Sequence, residues 1–335
     1  MRFSVIVPLY NKAPYVRHAL ESVFAQTYKD FECIVVDDGS TDGSLDIVRA
    51  INDEMSRDKS LNEPHTLNDG RFKIFSQANS GVAAARNNGV AVSKGEYVCF
   101  LDADDWWEST FLEEMDRLIA EYPDAGIYAS NYIYYKPGKT HVALSLPRGY
   151  LDYPKAYYEG SSMPVWTGAT CMPRKVFDEM GGFPLGIKLG EDFLLWAKIA
   201  LHYPVAFSEK PLAYYNNDVP ASLRATRNLH APEHHMLFHL DSLEEETRNL
   251  SPVTGNPSEW KALLDKLRVN GLMDYWLSDE YHDVAAAELA KVDWSKQPRS
   301  AKAQYEKPIW LLKAKRRFMQ IGSYCKQKLI RLKYK

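Results

Sequence analysis

A chain of 335 residues can bury a sizeable core, and its 45% hydrophobic and 25% charged content is ordinary for a soluble protein. No apolar stretch is long enough to span a bilayer and no secretory signal is evident, so a cytoplasmic location is the expectation. The net charge of −3 hides an asymmetry, because from Arg299 to Lys335 twelve basic residues stand against one acid, Glu306.

Phe3 to Pro8 reads as a first strand, followed by a helix with Val16, Ala19, Leu20, Val23 and Phe24 at helical spacing. Phe31 to Asp37 is a second strand, and Ser40 or Thr41 is placed to cap a helix over Leu45 to Ile51. The polar stretch Asn52 to Gly70 reads as a surface insertion. Phe72 to Ser76, Val82 to Ser93 and Tyr97 to Leu101 follow as strand, helix and strand. This alternation predicts an α/β fold with a mainly parallel, Rossmann-like sheet between helices. A helix over Thr110 to Tyr122, capped by Ser109, precedes an antiparallel pair, Ile127 to Tyr135 with His141 to Leu146. From about Pro232 the pattern is mostly helical, at roughly 232–249, 258–278, 283–291 and 308–332. The expected division is a catalytic domain over 1–225 and a helical appendage over 226–335. Cys33, Cys99, Cys171 and Cys325 lack metal-ligand spacing and read as reduced thiols.

Four segments converge on one edge of such a sheet, where ligands bind in open α/β folds. Val7-Pro8-Leu9-Tyr10-Asn11 ends the first strand and offers the Tyr10 ring for a nucleobase to stack on. Val35 to Ser40 ends the second and offers Asp38 as an acceptor for a base N–H. Gln77 to Asn87 follows the third and supplies Arg86 for a phosphate. Asp102-Ala103-Asp104-Asp105 ends the fourth, where three carboxylates repel one another and hard oxygens suit Mg²⁺ or Mn²⁺. Taken singly, Asp37 and Asp38 read equally well as loop or cap residues, Arg86 as a solvated helix charge and Tyr10 as core. Four polar strand ends in register make that joint reading improbable.

The blocks VIVPLYNK, VVDDGSTDGS, NSGVAAARNNG, GEYVCFLDADDWW and GGFPLGIKLGEDFLLW resemble a family-2 glycosyltransferase of the GT-A fold, over about residues 2–225. The resemblance implies an inverting enzyme with a nucleotide-sugar donor, most often UDP-linked, held with Mn²⁺ or Mg²⁺. It implies Pro8, Tyr10 and Asp38 around the base, with Arg86 nearby. It sets Asp102, Ala103 and Asp104 at the ribose, diphosphate and metal, with Asp104 as the direct ligand and Asp102 acting directly or through the ribose or a water. Inverting transfer needs one base for the acceptor hydroxyl. The resemblance makes Asp192 that base and gives Glu191 a positioning role. Otherwise the pair simply favours a helix N-terminus. Trp106, Trp107 and Trp166 offer apolar faces to a sugar or pack in the core. Relatives often carry a histidine or paired basic residues after Tyr215. Here Asn216-Asn217-Asp218 stand instead, with Arg224 further on.

The tail places Leu311, Ala314, Phe318, Ile321, Cys325, Leu329 and Leu332 on one helical stripe among basic residues, suited to an anionic membrane surface or to packing on the domain. The expected partners are therefore a nucleotide-sugar donor, a saccharide or lipid-linked acceptor and a peripheral membrane contact, without nucleic acid. A sugar nucleotidyltransferase would show a glycine-rich basic loop after the first strand, and a dehydrogenase a G-x-G-x-x-G. Neither pattern stands here. The alternatives kept are a non-catalytic nucleotide- or carbohydrate-binding protein and a sugar nucleotidyltransferase.

Overall fold

The computed structural model describes residues 1–57, 70–220, 223, 229–249 and 254–314. Strands β1 (Phe3–Leu9), β2 (Phe31–Asp37), β3 (Phe72–Ser76) and β4 (Tyr97–Phe100) alternate with helices α1 (Val16–Phe24), α2 (Ser44–Arg57) and α3 (Val82–Val92). After them come β5 (Trp106–Trp107), α4 (Phe111–Glu121), β6 (Ile127–Lys136), β7 (Lys139–Val142), β8 (Gly149–Leu151) and α5 (Tyr153–Glu159). The set continues with β9 (Thr170–Pro173), α6 (Arg174–Met180), α7 (Glu191–His202) and β10 (Val205–Asn216). Helices α8 (Leu240–Glu246), α9 (Pro257–Gly271), α10 (Met273–Trp276), α11 (His282–Ala290) and α12 (Arg299–Tyr305) complete it.

One sheet runs in the order β3-β2-β1-β4-β9-β6-β10-β5, with β7 beside β6 and β8 beside β10. Its first four strands are parallel; runs rich in Val, Ile and Phe bury β1, β2 and β4 on both faces, with Ser4 and Glu32 taken in as a hydrogen-bonded pair at 2.7 Å. The chain builds outward from β1 to β3, then returns to place β4 on the other flank of β1. The crevice between the ends of β1 and β4 is thus a topological switch point, the expected place for a ligand. Strand β9 runs antiparallel to both β4 and β6. Strand β6 is parallel to β10 and antiparallel to β7, so the expected hairpin is present, but its second strand is Lys139–Val142 and not His141–Leu146, because the turn closes at Pro137-Gly138 with Lys136 opposite Lys139.

Several local expectations change. Ser40 and Thr41 do not cap α2; Asn11 N donates to Ser40 Oγ (3.1 Å) and Thr41 N to Asn11 Oδ1 (2.8 Å), while Asp42 Oδ1 accepts from Ser44 N (3.0 Å). Asp42 wins because its carboxylate lies two residues before the first free amide. Residues Asn52 to Arg57 belong to α2, which buries Val48 and Ile51 and exposes Asp53 and Glu54. Residues 58–69 lie outside the described residues. Helix α4 begins after Thr110 without a side-chain cap, and the carbonyl of Ser109 instead accepts from Thr27 N (2.8 Å). Beyond Pro232 the chain makes two 3-10 turns before α8, and α12 lies where no helix was expected.

The chain divides into two compact units after Trp260, so the first extends beyond residue 225, where the sequence pattern turns helical. In the second, fully buried Arg268 bonds Asp265 (3.4 Å) and Glu288 (3.2 Å). Cys33, Cys99 and Cys171 are buried free thiols, and burial pushes the Cys33 thiol up; Cys325 lies outside the described residues. Among the described residues no helix is long and apolar enough to cross a membrane.

Helix α3 lies so close to the sheet that a Cβ at Gly89 would meet Ile6 Cγ2 at 2.4 Å and Val36 Cγ2 at 3.2 Å. Both neighbours are core side chains without room to retreat. Gly89→Ala is therefore expected to cost about 1–3 kcal/mol of stability as overpacking. Chemical denaturation checks this, and an unchanged midpoint would show that α3 can lift away from β1 freely.

Candidate active site

The loop after β1 is held in an uncommon shape. Asn11 has φ 52°, a left-handed conformation that Asn tolerates better than most residues. Its side chain and amide bind the β2 loop, as above, and Lys12 N donates to Ser44 Oγ at 2.8 Å. The result leaves Tyr10 with 48% of its surface exposed beside buried Pro8, so the Tyr10 ring is not core. An exposed ring at a strand end is what stacking on a base needs.

Asp38 is buried, and its carboxylate accepts from Gln77 Nε2 (2.8 Å), Ser80 N (2.7 Å) and Gly81 N (2.9 Å). It therefore fastens the β3 loop and the N-terminus of α3 to the end of β2. Two of its donors are free backbone amides at a helix start, where a carboxylate is favoured. Gly81 itself has φ 89°, which only glycine adopts readily.

The three consecutive polar residues of α3 each tie a different loop. Arg86 is 3% exposed; its Nη2 donates to Asp102 Oδ1 (2.8 Å) and its Nη1 to Glu191 Oε1 (2.9 Å), with the guanidinium 5.0 Å from the Phe183 ring centroid. Asn87 exchanges two bonds with Phe183, donating to its carbonyl (2.8 Å) and accepting from its amide (2.9 Å). Asn88 donates to Gln77 Oε1 (2.7 Å). Arg86 is thus no solvated charge. Burial opposes its ionisation, but Asp102, Glu191 and Asp192 hold its pKa above the ordinary value. Its Nε is buried without a partner among the described residues.

After β4 the chain turns tightly, with Asp105 N donating to the Asp102 carbonyl (3.0 Å). The turn buries Ala103 and separates the three carboxylates. Asp102 faces Arg86. Asp104 Oδ2 accepts from Lys12 Nζ at 2.5 Å. Asp105 points inward and accepts from Asn216 N (2.8 Å) at the end of β10. Burial pushes the Asp104 carboxyl up, Lys12 pulls it down and the Asp102 charge adds to the rise. Burial, then Asp104 and Asp102, raise Asp105 further. Among the described residues no group of three or more His, Cys, Asp or Glu side chains is arranged to hold a metal. Asp102 and Asp104 together still fit Mg²⁺ or Mn²⁺ in chemistry, since such ions are often bound through one or two carboxylates plus substrate phosphates.

Glu191 and Asp192 open α7 after a loop in which Gly181, Gly182, Gly186 and Gly190 all have positive φ. Gly190 is also packed tightly, for a Cβ there would meet Met236 Sδ at 2.4 Å. Lys188 N donates to the His234 carbonyl (2.8 Å) and Met236 N to the Leu189 carbonyl (3.1 Å), so residues 234–236 brace this loop. Glu191 is buried against Arg86, and burial followed by the adjacent Asp192 charge pushes its carboxyl up to about 7. Asp192 is half-buried; its Oδ2 accepts from Thr167 Oγ1 (2.9 Å) and its Oδ1 from Phe193 N (2.7 Å).

The fold thus brings Tyr10, Asp38, Arg86, Asp102, Asp104 and Glu191 to the ends of β1, β2, α3, β4 and α7, with Asp192 beside Glu191. Trp107 and Trp166 are core residues; Trp107 stacks on Phe111 at 4.1 Å and Trp166 packs against Tyr132 and Tyr215. Trp106 is half-buried and stacked on Tyr214 at 5.0 Å. Arg224 lies outside the described residues. Sequence reasoning missed Lys12 and Thr167. Lys12 stood inside a quoted block, but nothing in spacing alone put it against Asp104, and Thr167 carries no motif.

The family model for glycosyl transferase family 2 matches residues 4–181. The chain is 36% identical over 157 residues to the putative glycosyltransferase EpsH of Bacillus subtilis, covering 46% of this chain and 41% of that protein. It is 33% identical over 213 residues to the glycosyltransferase GlyA of Streptococcus pneumoniae, covering 60% and 28%. An uncharacterized glycosyltransferase of Nostoc is 30% identical over 265 residues, 74% of this chain and 71% of that protein. The chain thus spans less than half of the first curated relatives it matches. Among solved structures, Staphylococcus aureus TarS 1–349 in complex with UDP-GlcNAc superposes with TM-score 0.65 at 20% identity, covering 90% of this chain and 83% of that one. The mannosyltransferase PcManGT from Pyrobaculum calidifontis, in complex with GDP-Man and Mn²⁺, gives TM-score 0.51 at 22% identity, covering 90% and 78%. With an α/β sheet of the GT-A kind and a family match across more than half its length, this chain belongs to glycosyl transferase family 2.

Proposed function

We propose that the chain is an inverting glycosyltransferase that moves a sugar from a UDP-linked donor to a hydroxyl of a saccharide or lipid-linked acceptor in cell-surface polysaccharide or glycolipid synthesis. The observation that carries this reading is the buried Arg86, whose guanidinium joins Asp102 at the donor edge to Glu191 at the acceptor edge. Residues 1–225 hold this machinery in our reading, and 226–335 form the helical region. Tyr10 stacks on the base beside Pro8, Asp38 shapes the base pocket, and Asp102, Ala103 and Asp104 face the ribose and diphosphate. Asp104, with Asp102, would hold Mn²⁺ or Mg²⁺, which when bound supplies charge neutralisation on the departing diphosphate. Asp192 takes the acceptor proton as the acceptor oxygen bonds the anomeric carbon and the carbon–phosphate oxygen bond breaks, releasing nucleoside diphosphate. Thr167 orients the Asp192 carboxylate through its hydroxyl. Binding of UDP-GlcNAc by TarS and of GDP-Man with Mn²⁺ by PcManGT supports the donor class and the ion. The test is a panel of nucleotide sugars scored for acceptor-dependent release of nucleoside diphosphate. A non-catalytic binder would release none.

Donor affinity is expected to need the ion. Calorimetry should show UDP binding that strengthens with Mn²⁺, is lost with chelator and loses its Mn²⁺ dependence in Asp104→Ala. Equal affinity with and without chelator would remove Asp104 from the donor site.

Asp192→Asn should lower turnover by roughly two or more orders of magnitude, the scale of general-base removal, with donor affinity little changed. Its neighbour adds a pH signature. Glu191 is protonated below about 7 and ionised above it. Ionisation completes the ion pair of Glu191 with Arg86 and fixes the start of α7, so kcat/KM should rise through an inflection near pH 7. A pH–rate profile checks it, and Glu191→Gln should flatten that inflection.

We also propose that the basic end meets an anionic membrane surface at the cytoplasmic face. Most of the amphipathic stripe lies outside the described residues, but at its start Trp310 is 71% and Leu311 44% exposed. One basic residue is already committed, since Lys313 pairs with Asp279 at 2.6 Å. Each of the others is worth about 1 kcal/mol near an anionic surface. Sedimentation with anionic but not neutral vesicles is expected, weakening as salt rises and vanishing on truncation after Lys307. Truncation that instead unfolds the protein would assign the stripe to packing.

A further inference from the structure

Resting on the reading of Asp104 as a metal ligand, we propose that Lys12 is the resident cation of the donor site, holding Asp104 until a divalent ion arrives and then pairing with the donor's diphosphate. The Lys12 ammonium sits across the switch point of the sheet, from the β1 loop to the β4 turn. It donates to Asp104 Oδ2 at 2.5 Å and to the Leu223 carbonyl at 3.2 Å. Both charged side chains are only 16% exposed. The backbone of Lys12 is fixed at three points: its amide donates to Ser44 Oγ, and its carbonyl accepts from Tyr15 N (2.9 Å) and Val16 N (3.0 Å) at the start of α1. Only the side chain is left to move. A divalent ion on Asp104 Oδ2 would face the ammonium at hydrogen-bond range, and the two cations repel, so metal binding at that oxygen displaces Lys12. The displaced ammonium, still screened from water, needs a new anion, and the diphosphate brought with the ion is that anion. Lys12 then supplies the basic phosphate contact that Asn216, Asn217 and Asp218 do not provide after β10.

The test uses the full chain and titrates Mn²⁺ alone, following the free ion by electron paramagnetic resonance, before adding UDP. Because the ion-competent state is only a fraction of the ensemble while Lys12 holds Asp104, Lys12→Met should bind Mn²⁺ about tenfold more tightly than the parent chain. With Mn²⁺ present, the same variant should bind UDP about tenfold more weakly, the size of one lost coupling. Lys12→Arg should stay near the parent in both. As a readout that needs no folded Met variant, ¹³C-dimethylated lysines of the parent, with Lys12 assigned through Lys12→Arg, should show the Lys12 resonance moving on addition of Mg²⁺ and again on addition of UDP. An Mn²⁺ affinity abolished by Asp104→Asn but unchanged by Lys12→Met, or a Lys12 resonance that ignores Mg²⁺, overturns the role of Lys12 and leaves the metal ligand intact. If the parent binds no Mn²⁺ at all, with or without UDP, the metal reading fails and this inference falls with it.

Discussion

The buried guanidinium of Arg86 sets the condition under which the rest of the site exists. A charge taken wholly out of water is tolerated only when it is paired and hydrogen-bonded. Here two carboxylates from distant parts of the chain meet that need. Removing one partner of such a pair costs about 3–5 kcal/mol, because the remaining charge is left buried and alone. Asp102 and Glu191 are therefore held by the energetic penalty of leaving Arg86 unmatched as well as by their own loops. The turn after β4 and the start of α7 can shift only together. The proposed in-line transfer would make the same demand, since small misplacements of reacting groups are costly.

Around that clamp the loops are stiffened by the hydrogen bonds of polar side chains. Asp38 closes three bonds to the β3 loop, and Asn11 ties the β1 loop to the β2 loop. Asn87 holds the start of the glycine-rich loop by both bonds of one amide. The glycines of that loop give it the positive φ angles it needs, and Asn87 and the 234–236 strap remove the freedom they would otherwise bring. Pre-organisation here is a matter of local hydrogen bonding and not of bulk. Polar residues at sheet edges do the work that large apolar contacts do in the core.

Much of this was legible in the sequence. The βαβ alternation, the positions of the four strand ends and the Glu191-Asp192 pair followed from periodicity and from motif order. Lys12 was not legible, because its partner lies 92 residues away and is near only once β4 inserts beside β1. Arg86 was assigned a phosphate and found a carboxylate pair. A charged helix residue gives no sign of its burial until the packing of α3 on the sheet is known. Trp107 and Trp166 pack in the core, in or just before the short segments β5 and β9. Those segments were also invisible: β5, β8 and β9 have two, three and four residues, too few to show any period.

The antiparallel strand β9 has a consequence for how the chain is made. Strand β4 pairs with β1 on one flank and with β9 on the other, and β9 begins 70 residues after β4 ends, at Thr170 against Phe100. At a synthesis rate of about 5–20 residues per second, that flank waits on the order of ten seconds for its partner. During that interval the nascent chain has emerged with β1 to β4 and a row of unsatisfied amides and carbonyls along Tyr97–Phe100. An unpaired apolar edge is the template on which strands of other chains add. The hazard falls on the ribosome-bound intermediate alone, and it ends when Cys171 comes to lie opposite Cys99.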